Sequence, residues 1–199
     1  MSDPAPEWWT QAFGPLYAEV YHHRDESAAV AEIAGLLPRL RQQPGLVLDA
    51  ACGGGRHLAA LGAAGLPALG FDLSPELLAV AGQRPLCHAR LARGDLRQPP
   101  FADRSCAAVL LLFTALGYFD EAGNAACLKA LARLVAPSGW LLLDLPERDR
   151  LRRDLVAESR RTTPRGLEVH ERRSLIEHDS HPLEALLLER GVAHGEHLV

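Results

Sequence analysis

Three acidic residues recur at equal spacing in this chain: Asp49, Asp72 and Asp95 stand 23 residues apart. The first closes Leu46-Val47-Leu48 and is followed by Ala50-Ala51-Cys52-Gly53-Gly54-Gly55-Arg56-His57. Glycines after a buried strand let the backbone approach a ligand closely, and a helix opening there presents its positive end. A dinucleotide fingerprint needs a third glycine, but that position is Leu58, and an acid beside a pyrophosphate is unfavourable. Asp49 suits a cation better, such as an α-ammonium or a sulfonium centre. A plain strand-to-helix turn is the competing reading. Asp72, in Gly70-Phe71-Asp72-Leu73-Ser74, can accept both hydroxyls of a ribose or simply flank a helix. Asp95, in Arg93-Gly94-Asp95-Leu96, can accept from an adenine amino group. Three acids at successive strand ends, on one edge of one sheet, are poorly explained as three independent helix caps.

Strands and helices must bring those acids together, and the hydropathy pattern supplies them. The spacing of Trp9, Phe13, Leu16 and Val20 predicts an amphipathic helix over residues 7–21. That of Val30, Ile33, Leu37 and Leu40 predicts a second, ended by Pro44-Gly45. From there strand and helix alternate. Strands are predicted over 46–48, 67–71, 88–93, 107–113 and 140–145, with helices opening after Gly55, at Ser74-Pro75-Glu76 and over 121–135. Pro137-Ser138-Gly139 is read as the turn into the fifth strand. Such alternation predicts an α/β fold, a doubly wound, mostly parallel sheet with an N-terminal helical cap. Beyond Pro146 a helix over 149–159 is expected, then strands over 167–177 and 183–197 that pair antiparallel. They should cover or extend the sheet beside Trp140 to Leu145 and wall part of a substrate pocket. The whole is read as one domain over 1–199: cap 1–44, ligand-binding core 45–146, and a substrate-side segment 147–199.

Composition bounds the alternatives. Ala and Leu make up a third of the 199 residues, which favours helices and leaves the strands to be built largely from Leu. A hydrophobic share of 48% excludes global disorder, and no apolar run reaches membrane-spanning length. A net charge of −4 argues against a nucleic-acid partner, although seven arginines cluster between Arg148 and Arg165. The four cysteines have no C-x-x-C pair, so neither a metal site nor a disulfide framework is expected. The acidic, Pro-rich start has no signal-peptide pattern, and a cytoplasmic protein is expected.

The runs DAACGGGRH, GFDLSPELL, ARGDLRQPPF, LLLFTALGYF and LARLVAPSGWLLLDLP, in this order, resemble the class I S-adenosylmethionine-dependent methyltransferases. The chain is similar in particular to the small-molecule type with a D-x-A-C-G-x-G-R-H first motif and an L-F-T-x-x-G-Y-F fourth motif. The resemblance covers roughly residues 9–146. It implies a Rossmann-like fold, S-adenosyl-L-methionine as cofactor, and methyl transfer to an O or N atom of a small-molecule acceptor. It also implies roles by position. Asp49, Ala51, Gly53 and Gly55 would hold the methionine part and Asp72 the ribose, with Leu73 packed on the adenine. Asp95 and Leu96 would border the adenine, and Phe113 would sit beneath the sulfonium. Tyr21, with Tyr17 on the same helix face, and Arg24 would close the site and meet the cofactor carboxylate. Tyr118, His22 and His23 are the candidates for meeting the acceptor or acting as a base.

The fourth motif lacks N/D-P-P-Y, which counts against amide or base-nitrogen acceptors, and little after Leu145 matches the family's closing helix and strands. A non-catalytic protein that binds the cofactor or its demethylated product is the alternative. A homodimer is left open.

Overall fold

A computed structural model describes residues 9, 13–21, 26–176, 185–194 and 197–198. The chain divides into two compact units, Met1–Leu145 and Pro146–Val199.

The first unit is a five-stranded parallel sheet: β1 (Val47–Ala50), β2 (Ala68–Asp72), β3 (Leu91–Arg93), β4 (Cys106–Leu111) and β5 (Val135–Leu143). Their spatial order is β3-β2-β1-β4-β5. The connections run outward in opposite directions from β1 and β4, so the carboxyl ends of these two neighbours flank a crevice where ligands bind in such sheets. The helices are α1 (Pro15–Val20), α2 (Glu26–Leu40), α3 (Arg56–Ala63), α4 (Pro75–Gly82) and α5 (Glu121–Leu134).

Side chains alternate across each strand, and the sheet uses both faces. Val47, Ala68, Ala108 and Leu110 pack with Ala29, Ile33 and Leu40 of α2 and Leu58 and Leu61 of α3. Leu48, Ala50, Phe71, Val109 and Leu111 pack with Cys127, Leu131 and Leu134 of α5. Phe71, Leu48, Leu110 and Leu131 are fully buried, each worth about 1.5–3 kcal/mol of transfer from water. The same alternation turns Asp49 to the α2–α3 face of β1. That placement decides its chemistry.

Local signals explain most boundaries. Ser74 caps α4, its Oγ accepting the Leu77 N–H at 3.2 Å, with Pro75 at the first helical position. Asp120 caps α5 by accepting from Gly123 N–H at 2.8 Å. Other expectations need correction. Residues 13 and 14 are not helical; α1 begins at Pro15, whose ring disfavours helical geometry at Gly14. The third strand begins only at Leu91, because Leu86 and Ala89 take left-handed backbone angles in the preceding turns. Pro137-Ser138-Gly139 lies within β5, which pairs from Val135 and slips register between Cys106 and Ala108. The slip places Ser138 at φ +65°.

The second unit opens with α6 (Arg148–Asp154) and carries an antiparallel sheet in the order β6-β7-β8-β9: β6 (Glu158–Thr162), β7 (Glu168–Ile176), β8 (Ala185–His194) and β9 (His197–Leu198). The expected helix over 149–159 therefore stops at Asp154, and its last residues start a strand. The expected antiparallel pairing of the two later segments is present. These strands form a sheet of their own and do not extend β5. Among the described residues no helix is long and apolar enough to cross a membrane.

Candidate functional site

The crevice at the carboxyl ends of β1, β2 and β4 is a cavity of about 360 Å³. Ala51, Gly53, Asp72, Leu73, Asp95, Leu96, Phe113 and Tyr118 all line it, joined by Trp9, Phe13 and Tyr17 from the amino-terminal segment. These eight sequence-selected residues thus meet in one place, whereas Asp49 and Gly55 do not line the cavity. Tyr21 reaches it through Phe113, ring edge to ring face at 5.6 Å. His22, His23 and Arg24 lie outside the described residues.

The turn after β1 is built for close approach. Ala51, Gly53 and Gly55 have φ of +54°, +50° and +77°. At Gly55 a side chain is also excluded by space, since a Cβ would stand 2.9 Å from that of Ala81. The turn is fixed to β2 through Asp72. Gly53 N–H donates to Asp72 Oδ2 at 2.8 Å, and Ser74 N–H donates to Oδ1 at 2.9 Å. Burial nevertheless holds the Asp72 carboxyl above its ordinary range, against the N–H groups of Ser74, Gly53 and Leu73.

Asp49 is 1% exposed, and its Oδ2 has no hydrogen-bond partner. Burial, and secondarily the charge of Asp72, pushes its pKa up to about 7, opposed by Arg56 and by the Leu58 N–H. A buried carboxylate with a bare oxygen is costly unless a cation or donor meets it.

The other acid is engaged differently. Asp95 accepts the Arg97 backbone N–H at 2.7 Å, and the Arg97 guanidinium spans both its oxygens. The Arg97 hydrogen bonds hold Asp95 below the usual carboxylate range. That guanidinium also lies over the Phe119 ring, 4.6 Å from its centroid. An adenine amino group at Asp95 therefore has to share the carboxylate with Arg97.

Past β4, Phe113 and Thr114 both adopt left-handed angles, φ +58° and +53°, which non-glycine residues rarely take. Phe113 N–H donates to Asp144 Oδ2 at 2.9 Å, which fixes the turn from the end of β5. A series of ring contacts runs from Tyr118 through Phe13, Tyr17 and Tyr21 to Phe113, with centroids 4.6–5.6 Å apart.

A polar cluster beside this turn was not singled out from sequence. Glu32 Oε2 of α2 accepts from Arg56 Nη1 at 3.1 Å and meets His57 Nε2 at 2.5 Å. Burial pulls the His57 pKa down, against its bond to Glu32. Arg56 also stacks over Phe113 at 5.2 Å. Arg56 and His57 follow the glycines directly and were visible as a charged pair. Asp144 was findable by asking which strand ends carry an acid. Nothing in the sequence marks Glu32. The four cysteines are buried with raised thiol pKa values, and among the described residues no metal-binding group of three or more ligands occurs.

Comparison with known proteins agrees with this fold. Residues 47–139 match a methyltransferase domain. The methyltransferase match thus runs from the start of β1 into the irregular part of β5. A dTDP-3-amino-3,6-dideoxy-alpha-D-glucopyranose N,N-dimethyltransferase of Streptomyces fradiae is 32% identical over 122 residues, 61% of this chain and 47% of that protein. The chain spans about half the length of the curated relatives it matches. Among solved structures, DesVI of Streptomyces venezuelae is similar at TM-score 0.64 and 22% identity, over 92% of this chain and 78% of that one. CalS10, an amino pentose methyltransferase from Micromonospora echinaspora solved with S-adenosylmethionine bound, is similar at TM-score 0.63 and 23% identity, over 89% and 80%. At such identities the likeness establishes the fold: a Rossmann-like methyltransferase architecture with a short antiparallel sheet after it.

Proposed function

We propose that the chain is an S-adenosylmethionine-dependent methyltransferase acting on an amino or hydroxyl group of a small molecule. The observation that carries this reading is the unpartnered, fully buried Oδ2 of Asp49, one strand away from Asp72 at a glycine turn. A ligand with a cationic head and a ribose satisfies both acids, and the aromatic and leucine-lined cavity accepts a purine. When bound, S-adenosylmethionine supplies a methyl group activated by its sulfonium charge.

The remaining work falls to this chain's residues. Asp72, tied by two backbone N–H groups, offers its outer lone pairs to a ribose diol without having to reorient. Leu73 and Leu96 flank the base. The Gly53–Gly55 backbone and Asp49 hold the amino-acid head. Phe113, held by Asp144, and Tyr118 line the same cavity, and their part in this reading is to bring donor and acceptor into line and keep water out. Alignment alone is worth several kcal/mol of barrier. Tyr118, which lines the cavity, is the candidate for taking a proton from the acceptor. Relatives named for amino-sugar methylation make sugar amines the first acceptors to test.

The test is a calorimetric titration with S-adenosylhomocysteine and with NAD, followed by radiolabelled methyl transfer to amino and hydroxy sugars. Binding of the sulfur nucleoside with turnover is expected. NAD binding alone overturns the cofactor, and cofactor binding without turnover across the panel overturns the catalytic reading in favour of a binding protein.

A further inference from the structure

The Ser74 hydroxyl has a single hydrogen and two acceptors in reach of it. Its Oγ lies 2.8 Å from the Phe13 carbonyl oxygen and 3.0 Å from Oε2 of Glu76, and it accepts the Leu77 N–H at the start of α4. The carbonyl and the carboxylate therefore compete for one hydrogen, the carboxylate being the stronger acceptor and the carbonyl the nearer. Ser74, Phe13 and Glu76 all line the cavity. Ser74 is buried, and its backbone N–H donates to Asp72. Beyond the carbonyl, the Phe13 ring lies 5.1 Å from that of Tyr118 and 5.0 Å from that of Tyr17. One side chain thus stands between the acids Asp72 and Glu76 and the aromatic wall that includes Tyr118.

Resting on the cofactor reading above, we propose that Ser74 is a positioning residue: a ligand hydroxyl that engages Glu76 leaves the Ser74 hydrogen to the Phe13 carbonyl, which seats Phe13 and, against its ring, Tyr118. A ribose held at Asp72 brings such hydroxyls to the wall that Glu76 shares. Occupancy on the cofactor side is thereby carried to the side where the acceptor is read to bind. The neighbouring α1 has six residues, too few to hold a helix by itself, so its order is set by contacts such as this one. α1 also contacts α4, the helix that Ser74 caps. Capping uses the hydroxyl oxygen and coupling uses its hydrogen, so substitution separates the two roles.

The experiment follows amide hydrogen exchange by mass spectrometry on the full chain, read over residues 13–21, where the Tyr17 and Tyr21 N–H groups are hydrogen-bonded. In ligand-free protein, Glu76→Ala removes the competitor and should slow exchange there by about two- to tenfold, the worth of one hydrogen bond. Adding Ser74→Gly to that variant should abolish the slowing; glycine is tolerated as an N-cap, so α4 is kept. Ser74→Thr, which retains the hydroxyl, should behave as wild type. At saturation, S-adenosylhomocysteine should slow exchange in the wild type, and by less in Ser74→Gly and in Glu76→Ala. Thermal melting checks that each variant is folded; should Ser74→Gly not fold, Glu76→Ala, at an exposed position, carries the test. Unchanged or faster exchange in Glu76→Ala overturns the proposal. So does a slowing that survives in the double variant, or a ligand effect equal in wild type and both single variants. Calorimetry runs beside these measurements. If wild-type protein does not bind S-adenosylhomocysteine, the cofactor reading itself has failed and the coupling falls with it, whatever the ligand-free comparison shows.

Discussion

Asp72 and Gly53 are joined by a 2.8 Å hydrogen bond that ties the end of β2 to the turn after β1. One carboxylate thus shapes the backbone that would hold the amino-acid head and, on the proposed reading, would also take the ribose. Asp72→Ala removes both functions. It should lower affinity for S-adenosylhomocysteine by about 2–3 kcal/mol, on the order of 100-fold, by calorimetry. Unchanged affinity in a folded variant would show that Asp72 serves α4 alone.

The buried Asp49 gives the site a pH dependence of defined sign. Its pKa in the folded chain is about 7 against an ordinary value of 3.8, so between those values the folded state holds a proton that the unfolded chain has released. The stability it contributes without ligand is full below about pH 4 and is lost as pH rises through 7. Asp72 is shifted in the same sense. Binding of an ammonium runs the other way, because it needs the carboxylate. Affinity for S-adenosylhomocysteine should climb from about pH 6 to 8, and Asp49→Asn should flatten that climb. A wild-type affinity independent of pH would refute the placement of Asp49 against the cation.

Gly55 is required by both shape and space. A Cβ there would press on Ala81 and Cys87 at a φ of +77°. Gly55→Ala should destabilise the fold by about 1–3 kcal/mol, lowering the melting temperature by roughly 3–10 °C. Gly65→Ala, also at positive φ but with open space around it, should cost less. Equal losses would mean that backbone strain alone sets the penalty.

His57 should titrate below its ordinary 6.5, because burial disfavours its charged form while Glu32 supports it. Its contribution to stability is present above the unfolded pKa and is lost as pH falls through the lower folded value. Glu32→Gln removes the supporting charge, so the midpoint followed by proton NMR should move further down. An upward move would mean that the bond to Glu32 does not set the ring's charge.

The strand–helix alternation and the acids at successive strand ends were legible because apolar runs, caps and glycines are local signals. Ser74-Pro75-Glu76 and the Gly53–Gly55 turn needed no tertiary information. β6 escaped notice because Glu158, Arg160 and Thr162 alternate with Ser159 and Arg161, so both faces of the strand are polar and no hydrophobic period exists. The start of β5 was hidden by Pro137 and Gly139, which read as a turn and form an irregular stretch of strand. The bond from Asp72 to Gly53 and the bare oxygen of Asp49 are relations across the sheet, and no spacing rule carries them.

The burial of all four cysteines turns the chain into its own stopwatch for opening. Cys87 belongs to the core on the α2–α3 side of the sheet, and Cys106 and Cys127 to the core on the α5 side. Cys52 lies against Gly70 beneath the glycine turn. None offers a thiolate to solvent while the fold is closed. The rate at which a thiol reagent marks each one in native buffer therefore times the local unfolding of each layer separately. Protection of Cys52 on adding a ligand would localise that ligand to the turn without any label being introduced.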